Sequence, residues 1–326
     1  MADVARRTHI ALVDQRLRTI ERESGVFLRS ELCDLGFDDN AVRNALRHRL
    51  WRRVRHGAYC FFDTWERADE VGRHLILARA VMRSLEGRVV LSHVSALVAH
   101  GVAVWGADLR RVHVTRIDGS AGRVERDVVH HAGLLRGLEP VRLHGMLVVP
   151  PDRAAVEAAT VVPVEPALVS MDSVVQQRLA TPDQLVERYG ELEHWPGAQK
   201  LQLVMRLTDG RAASPGETRS RFLFWSQNLP APDLQFEVRD CSGTLVGVTD
   251  FVWHEHGVLG EFDGRVKYGR LLAPGQSPGD VMFAEKRRED LLREITGYRM
   301  FRLAWADLQR PFETGRRLGE YLRRIA

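Results

Sequence analysis

Residues 234–263 hold three strand-length runs in close succession, "LQFEVR", "LVGVTDFVW" and "VLGEFD", rich in β-branched and aromatic residues. Such runs, broken by short turn segments, satisfy their backbone groups only in a sheet, and this constrains the fold more than anything else in the chain. His254 to Gly257 supply a turn, so the second and third runs make a hairpin. Setting Trp253 opposite Val258 predicts that Asp250 faces Glu261 and that Val248 faces Asp263. Asp250, Glu261 and Asp263 then share one face, while Phe251, Trp253, Val258 and Phe262 form an apolar back. Like charges opposed across two strands repel, so this face reads either as a cation ligand set or as a polar face open to water.

The surrounding pattern places the hairpin inside a larger order. A helix over 215–228 precedes the strands, and a helix over about 280–296, a strand over 298–305 and a last helix follow, which makes αβββαβ. "DGRAASPGE", rich in small residues, separates this region from what comes before. Hydrolysis of a phosphodiester needs a divalent ion to polarise the phosphate and activate water, and Mg²⁺ takes a few carboxylate oxygens while keeping several waters. The carboxylates on the hairpin fit that demand. Glu217 has two readings. In "SPGE", Ser214 at the N-cap, Pro215 at the first helical position and Glu217 two further on make a capping box, and the same acid could also stand beside a metal site.

"SPGETRSRFLFWSQNLPAPDLQFEV", "VTDFVW", "GEFDGRVKY" and "AEKRREDLLREITGYRMFRLAWADL" together resemble the restriction-endonuclease-like superfamily, in its very-short-patch-repair-like branch. The resemblance covers about the last third of the chain. It implies Mg²⁺ or Mn²⁺ as cofactor, with Asp250 as the first-strand aspartate and Glu261 as the acid of a PD-(D/E)XK motif. Asp263 stands where the common form carries lysine. Lys267 and Lys286 are the only lysines of this region, and either could take that role. Glu217 matches the acid on the first helix.

The first 62 residues carry a different signal. "RSELCDLG" reads as a short helix stopped by Gly36, and Asp38 then caps a second helix through about Arg49. Val42, Ala45 and Leu46 give that helix its apolar side, and Asn40, Arg43, Asn44 and Arg47 share the opposite stripe. Arginine and asparagine pair bidentately with guanine and adenine edges in a major groove. "LWRRVR" and "AYCFF" flank His56-Gly57 as the two strands of a wing, where Arg52, Arg53 and Arg55 suit phosphate contact. Six arginines and no acid lie between Ala41 and His56. The stretch 25–61 resembles the winged-helix domain of AbiEi-type antitoxins of bacterial type IV toxin–antitoxin systems. That resemblance implies binding of operator DNA, repression of the protein's own operon and a cognate toxin as partner.

The stretch between is less legible. Helices are expected over 66–87, 151–160 and within 165–208, and over 91–106 a helix that ends in a turn; strands are expected over 112–116, 128–132 and 143–150. His93, His100, His113, His130, His131 and His144 fall here, but no two stand at i, i+4 beside a carboxylate, so spacing predicts no histidine metal site. Cys33, Cys60 and Cys241 are too scattered for a disulfide framework or a zinc motif. The N-terminus lacks an apolar leader and no run reaches membrane-spanning length, so a soluble, cytoplasmic protein is expected.

The expected fold is thus α/β (α+β): a winged helix-turn-helix over 1–62, an α/β connector over 63–210 and an αβββαβ nuclease-like domain over 211–326. The leading functional expectation is a DNA-binding, Mg²⁺- or Mn²⁺-dependent endonuclease. The rival is an antitoxin-like repressor whose nuclease-like fold does not cleave. A nuclease for RNA or for branched or mismatched DNA stands third. Pairing as a homodimer, to read two half-sites, stays open.

Overall fold

The computed structural model describes residues 14–133, 139–264 and 278–323, and its helices and strands divide between two units. The first comprises 1–170 and 179–203, and the second 171–178 and 204–326.

The first unit opens with α1 (14–24), β1 (Phe27–Leu28), α2 (Arg29–Asp34), α3 (Asp39–Arg47), β2 (Trp51–Arg55) and β3 (Ala58–Phe61). The strands form an antiparallel sheet in the order β1-β3-β2. Asp38 caps α3, its side chain accepting the Ala41 N–H at 2.7 Å. That helix ends at Arg47, two residues short of the expected limit. Arg49 is left-handed (φ 54°) and the Leu50 N–H closes on Ala45 O at 2.9 Å, a reversal that turns the chain into β2. Phe27 is fully buried among Trp51, Tyr59 and Phe61, with ring centroids 5.3–6.2 Å away, and this aromatic cluster joins the helices to the wing.

The helix expected over 66–87 is two, α4 (Phe62–Arg67) and α5 (Glu70–Ser84). Ala68 is extended, and Asp69 starts the second by accepting the Gly72 N–H. Behind them lies a six-stranded mixed sheet of β4 (Val89–Leu91), β5 (Val112–Arg116), β6 (Arg123–Val124), β7 (Val128–Ala132), β8 (Val141–Leu143) and β9 (Met146–Val148), in the order β6-β7-β5-β4-β9-β8. Two expectations are corrected here. Within 91–106 the expected helix is α6 (His93–Ala99), shorter at its start because Leu91 belongs to β4 and closed by the expected turn at left-handed Gly101 (φ 73°), where the Val102 N–H reaches Leu97 O at 3.0 Å. The strand expected over 143–150 is a hairpin instead. His144 (φ 50°) and Gly145 (φ 78°) are both left-handed, the geometry of a tight turn between β8 and β9. Helices α7 (Pro151–Val161), α8 (Val164–Gln176), α9 (Pro182–Leu192) and α10 (Leu201–Leu207) follow.

The second unit has the order α11 (Pro215–Ser226), β10 (Asp233–Arg239), β11 (Leu245–Trp253), β12 (Val258–Asp263), α12 (Pro278–Thr296), β13 (Arg299–Ala304), α13 (Trp305–Leu308) and α14 (Pro311–Arg323). Its sheet runs β10-β11-β12-β13, antiparallel except for the parallel pair β12/β13. One face buries Phe251, Trp253, Val258 and Phe262 against Phe224 of α11 and Leu318 of α14, so the apolar back of the hairpin meets a core as expected. The acid-bearing face is covered too, since Val238, Val252 and Leu259 pack on Leu292 of α12. Close packing of α11 on β12 depends on Gly216, where an added Cβ would overlap the Phe262 ring. Gly216→Ala is therefore expected to cost about 1–3 kcal/mol of unfolding free energy in urea titration. An unchanged midpoint would mean that Phe262 can move aside freely.

Candidate functional site

On the first unit, the stripe that α3 turns outward is the one its periodicity assigns. Val42 and Ala45 are buried, while Asn40, Arg43, Asn44 and Arg47 are exposed. Arg43 donates to Asn40 Oδ1 at 2.7 Å, an exposed contact in which one polar group orients another. Arg52 and Arg53 are exposed on β2, with the Arg52 guanidinium 5.2 Å above the Trp65 ring. Among the described residues, none of Arg43, Arg47, Arg52 and Arg53 is paired with a carboxylate. Arg55 differs: it is half-buried and its Nε lies 3.3 Å from Asp127, so its charge is used inside the protein.

In the second unit, β11 and β12 pair at Trp253↔Val258, Val252↔Leu259 and Phe251↔Gly260, as the turn predicts. The expected continuation through Asp250–Glu261 and Val248–Asp263 is not in the recorded ladder. On its other edge β12 stays paired with β13 through Glu261, Phe262 and Asp263, opposite Arg302, Leu303 and Ala304, and β11 stays paired with β10, Val248 opposite Glu237. Asp250 reaches across the opening, its Oδ2 accepting the Phe262 N–H at 2.7 Å. The carboxylate thus takes the place of a strand partner where β11 and β12 part.

Glu261 is 8% exposed and lies 2.5 Å from Arg288 Nη2 and 3.4 Å from Arg302 Nη2. Glu285 and Glu289 of α12 share the same two guanidiniums, at 2.7 Å and 2.9 Å. Burial pushes the Glu261 carboxyl up and the arginines pull it back, leaving it above the ordinary value. Glu217 accepts the Ala213 N–H at 2.8 Å, Ser214 Oγ at 2.7 Å and Gln235 Nε2 at 2.9 Å, so it caps α11 and ties it to β10. Asp263 is half-buried at the end of β12, and Lys286 is exposed on α12. Lys267 lies outside the described residues. The donor atoms of these acids do not gather within 4.8 Å of one another as a group of three among the described residues. In this arrangement Asp250, Glu261 and Glu217 are each engaged in protein contacts. Of the three hairpin acids, Glu261 has guanidinium partners among the described residues.

A group that does gather was missed from the sequence. His93, His113 and His131 bring one ligand atom each to within 4.8 Å of the others. They come from the start of α6 and from the adjacent parallel strands β5 and β7. His113 Nδ1 is 3.0 Å from His131 Nε2, and the His93 and His131 rings stack at 3.6 Å. Burial, helped by neighbouring imidazoles, holds His113 down to about 3 and His131 down to about 4, and His93 well below its ordinary value. All three rings are neutral at pH 7. Spacing within one helix could not reveal this group, because the parallel pairing of β5 with β7 assembles it.

No family model matches the chain. It is similar to the uncharacterized protein Rv2248 of Mycobacterium tuberculosis (strain ATCC 25618 / H37Rv) and to the uncharacterized protein MT2308 of Mycobacterium tuberculosis (strain CDC 1551 / Oshkosh). Each is 23% identical over 171 residues, which is 52% of this chain and 63% of the relative, so the match spans a little under two thirds of their length. Among solved structures, the RV2827C protein from Mycobacterium tuberculosis aligns with a TM-score of 0.39 and 18% identity, over 64% of this chain and 79% of that one. No helix of the described residues is long and apolar enough to cross a membrane.

Proposed function

We propose that the chain is a DNA-binding regulator of the antitoxin-like repressor type, which reads duplex DNA with α3 and grips the backbone with the wing. The observation that carries this reading is the exposed stripe Asn40, Arg43, Asn44 and Arg47 beside Arg52 and Arg53, four arginines without a carboxylate partner among the described residues. A helix of that width enters a major groove, where such side chains reach base edges, and wing arginines meet phosphates without reading sequence. Arg55, held by Asp127, supports the wing rather than the contact. In the second unit Glu261, the acid expected in a PD-(D/E)XK motif, is held by Arg288 and Arg302, which favours binding over cleavage. The endonuclease reading stands second. It requires both guanidiniums to release Glu261 to Mg²⁺ or Mn²⁺. A cognate toxin, its gene adjacent to this one, is the partner that the antitoxin reading entails.

Fluorescence anisotropy on the full chain, with a duplex from upstream of its own gene and a shuffled duplex, tests the reading. Arg43→Ala/Arg47→Ala is expected to erase the preference between the two, each lost base contact being worth about 1–3 kcal/mol. Arg52→Ala/Arg53→Ala is expected to weaken both equally and to lower the salt slope of log K by about 2. Preference retained by the first variant would remove α3 from the recognition role. In parallel, supercoiled plasmid with Mn²⁺ is expected to stay intact. Nicking that an Asp250→Ala/Glu261→Ala variant loses would put the endonuclease first.

A further inference from the structure

We propose that His93, His113 and His131 form a binding site for a divalent transition-metal ion of the Zn²⁺ class, with Glu157 as the carboxylate that orients His93. The site lies wholly within the first unit and is independent of the acidic face of the second.

The donor set selects the metal. Three imidazole nitrogens suit Zn²⁺, Co²⁺, Ni²⁺ or Cu²⁺ and are poor partners for Mg²⁺ or Ca²⁺, which take oxygen. Zn²⁺ holds nitrogen at about 2.0–2.1 Å in a tetrahedron, which sets its ligand atoms roughly 3.3 Å apart. His113 Nδ1 and His131 Nε2 are already 3.0 Å apart, and all three donors lie within 4.8 Å. In the metal-free arrangement an N–H···N hydrogen bond joins His113 to His131, and His93 stacks on His131. Loading moves the bridging proton to the far nitrogen of the donor ring by tautomer exchange, replaces the hydrogen bond by two nitrogen–metal bonds and opens the stack so that the lone pairs converge. Three protein ligands leave a fourth position for water or a ligand oxygen.

The surroundings favour a ligand role over plain core packing. His93 Nδ1 lies 3.0 Å from Ser92 Oγ, which accepts its N–H in the tautomer that leaves the Nε2 lone pair for a metal, and Glu157 Oε2 stands 3.4 Å from the same nitrogen. Glu157 is fully buried, and its Oε2 has no hydrogen-bond partner, while its Oε1 accepts from Arg153 Nε at 2.6 Å. A buried carboxylate aimed at the far nitrogen of an imidazole is the arrangement that fixes the tautomer and raises the basicity of a metal-bound histidine. Ser95 braces the next ligand, its Oγ accepting the His113 N–H at 2.8 Å and meeting His74 Nε2 at 2.9 Å. His93 also holds a left-handed backbone (φ 52°), a conformation that costs free energy in a non-glycine residue and that directs its ring back toward β5 and β7. His113 and His131 are half-buried, which leaves an ion a route in from solvent.

The test uses the full chain, stripped with a chelator and titrated with Zn²⁺ by calorimetry, then with Co²⁺ by visible absorption. The expected result is one Zn²⁺ per chain, a Co²⁺ d–d band of tetrahedral intensity and a raised unfolding midpoint on Zn²⁺ addition. His113→Gln/His131→Gln is expected to lose the site, and Glu157→Gln to keep one ion per chain with affinity lowered about 10- to 100-fold. His194→Gln, at a fully solvated position, is the control for surface histidines and is expected to bind as the wild type does. Because the double variant removes two half-buried side chains, circular dichroism checks its fold, and the wild-type Co²⁺ spectrum judges the proposal without it. Absence of both the d–d band and the thermal shift in the wild type would overturn the site, as would Zn²⁺ binding that persists in a folded double variant.

Discussion

Replacing Asp172 by alanine is expected to lower the stability of the second unit by about 3–5 kcal/mol, the cost of leaving a buried charge without its partner. Asp172 is 1% exposed and accepts three hydrogen bonds, from Arg221 Nη1 at 2.6 Å, Thr218 Oγ1 at 2.8 Å and the Asp209 N–H at 2.8 Å. Burial pushes its carboxyl up to about 6 against the pull of Arg221, so it is ionised at pH 7. It is the anchor that joins 171–178 to α11 and to the chain after α10. Removing it strands the Arg221 guanidinium, whose side chain is 15% exposed and whose other nitrogen is tied to Leu207 O. Thr218→Val deletes one neutral bond and is expected to cost only about 1 kcal/mol. Asp172→Leu/Arg221→Met removes both charges and is expected to recover much of the loss. Urea unfolding with hydrogen exchange read over α11 gives the numbers. A single-variant loss below about 1 kcal/mol would mean that water reaches Arg221 and that the pair is not an anchor.

Acidification is expected to weaken the first unit between pH 6.5 and 4 through its histidine group. His131 is held at about 4 and His113 at about 3 when folded, against an ordinary 6.5. Folded values below the unfolded one mean that the unfolded chain binds more protons in this window. The stability is therefore complete above about pH 6.5 and is lost as pH falls toward the folded values. For His131 alone, the span from 6.5 to about 4 corresponds to about 3 kcal/mol. The comparison that isolates it is chelator-treated wild type against His113→Gln/His131→Gln, unfolded in urea at both pH values. The wild type is expected to lose more than the variant on acidification. Equal losses would assign the acid sensitivity elsewhere, and bound Zn²⁺ is expected to deepen the wild-type loss because protons compete with it for nitrogen.

Much of the architecture was legible because the relevant signals are local. The turn at His254–Gly257 set Trp253 against Val258, Asp38 capped α3, and Val42 and Ala45 went to the inside. Misreadings arose where a neighbour in space overrode the pattern. β4 claimed Leu91 from the helix expected over 91–106, and two left-handed residues folded one expected strand into β8 and β9. Arg55 looked like the other wing arginines until Asp127, 72 positions away, stood beside it. For the acids, residue type and strand position were readable, yet what they face was not. α12 lies between β12 and β13 in sequence, and the parallel pairing of those strands carries it back across the sheet, where Arg288 meets Glu261.

The amino-acid order by itself determined the strands and turn of the hairpin over 245–263, the caps of α3 and α11, the outward stripe Asn40, Arg43, Asn44 and Arg47, and the acid character of one hairpin face. Those features depend on backbone sterics and on the periods of helix and strand, which act over a few residues. Only the tertiary structure decided that Asp250 takes a backbone N–H where two strands part, and that Glu261 is held by arginines. It likewise brought His93, His113 and His131 together and assigned 171–178 to the second unit. Sheet order and helix crossings fix such meetings, and neither leaves a period in the sequence.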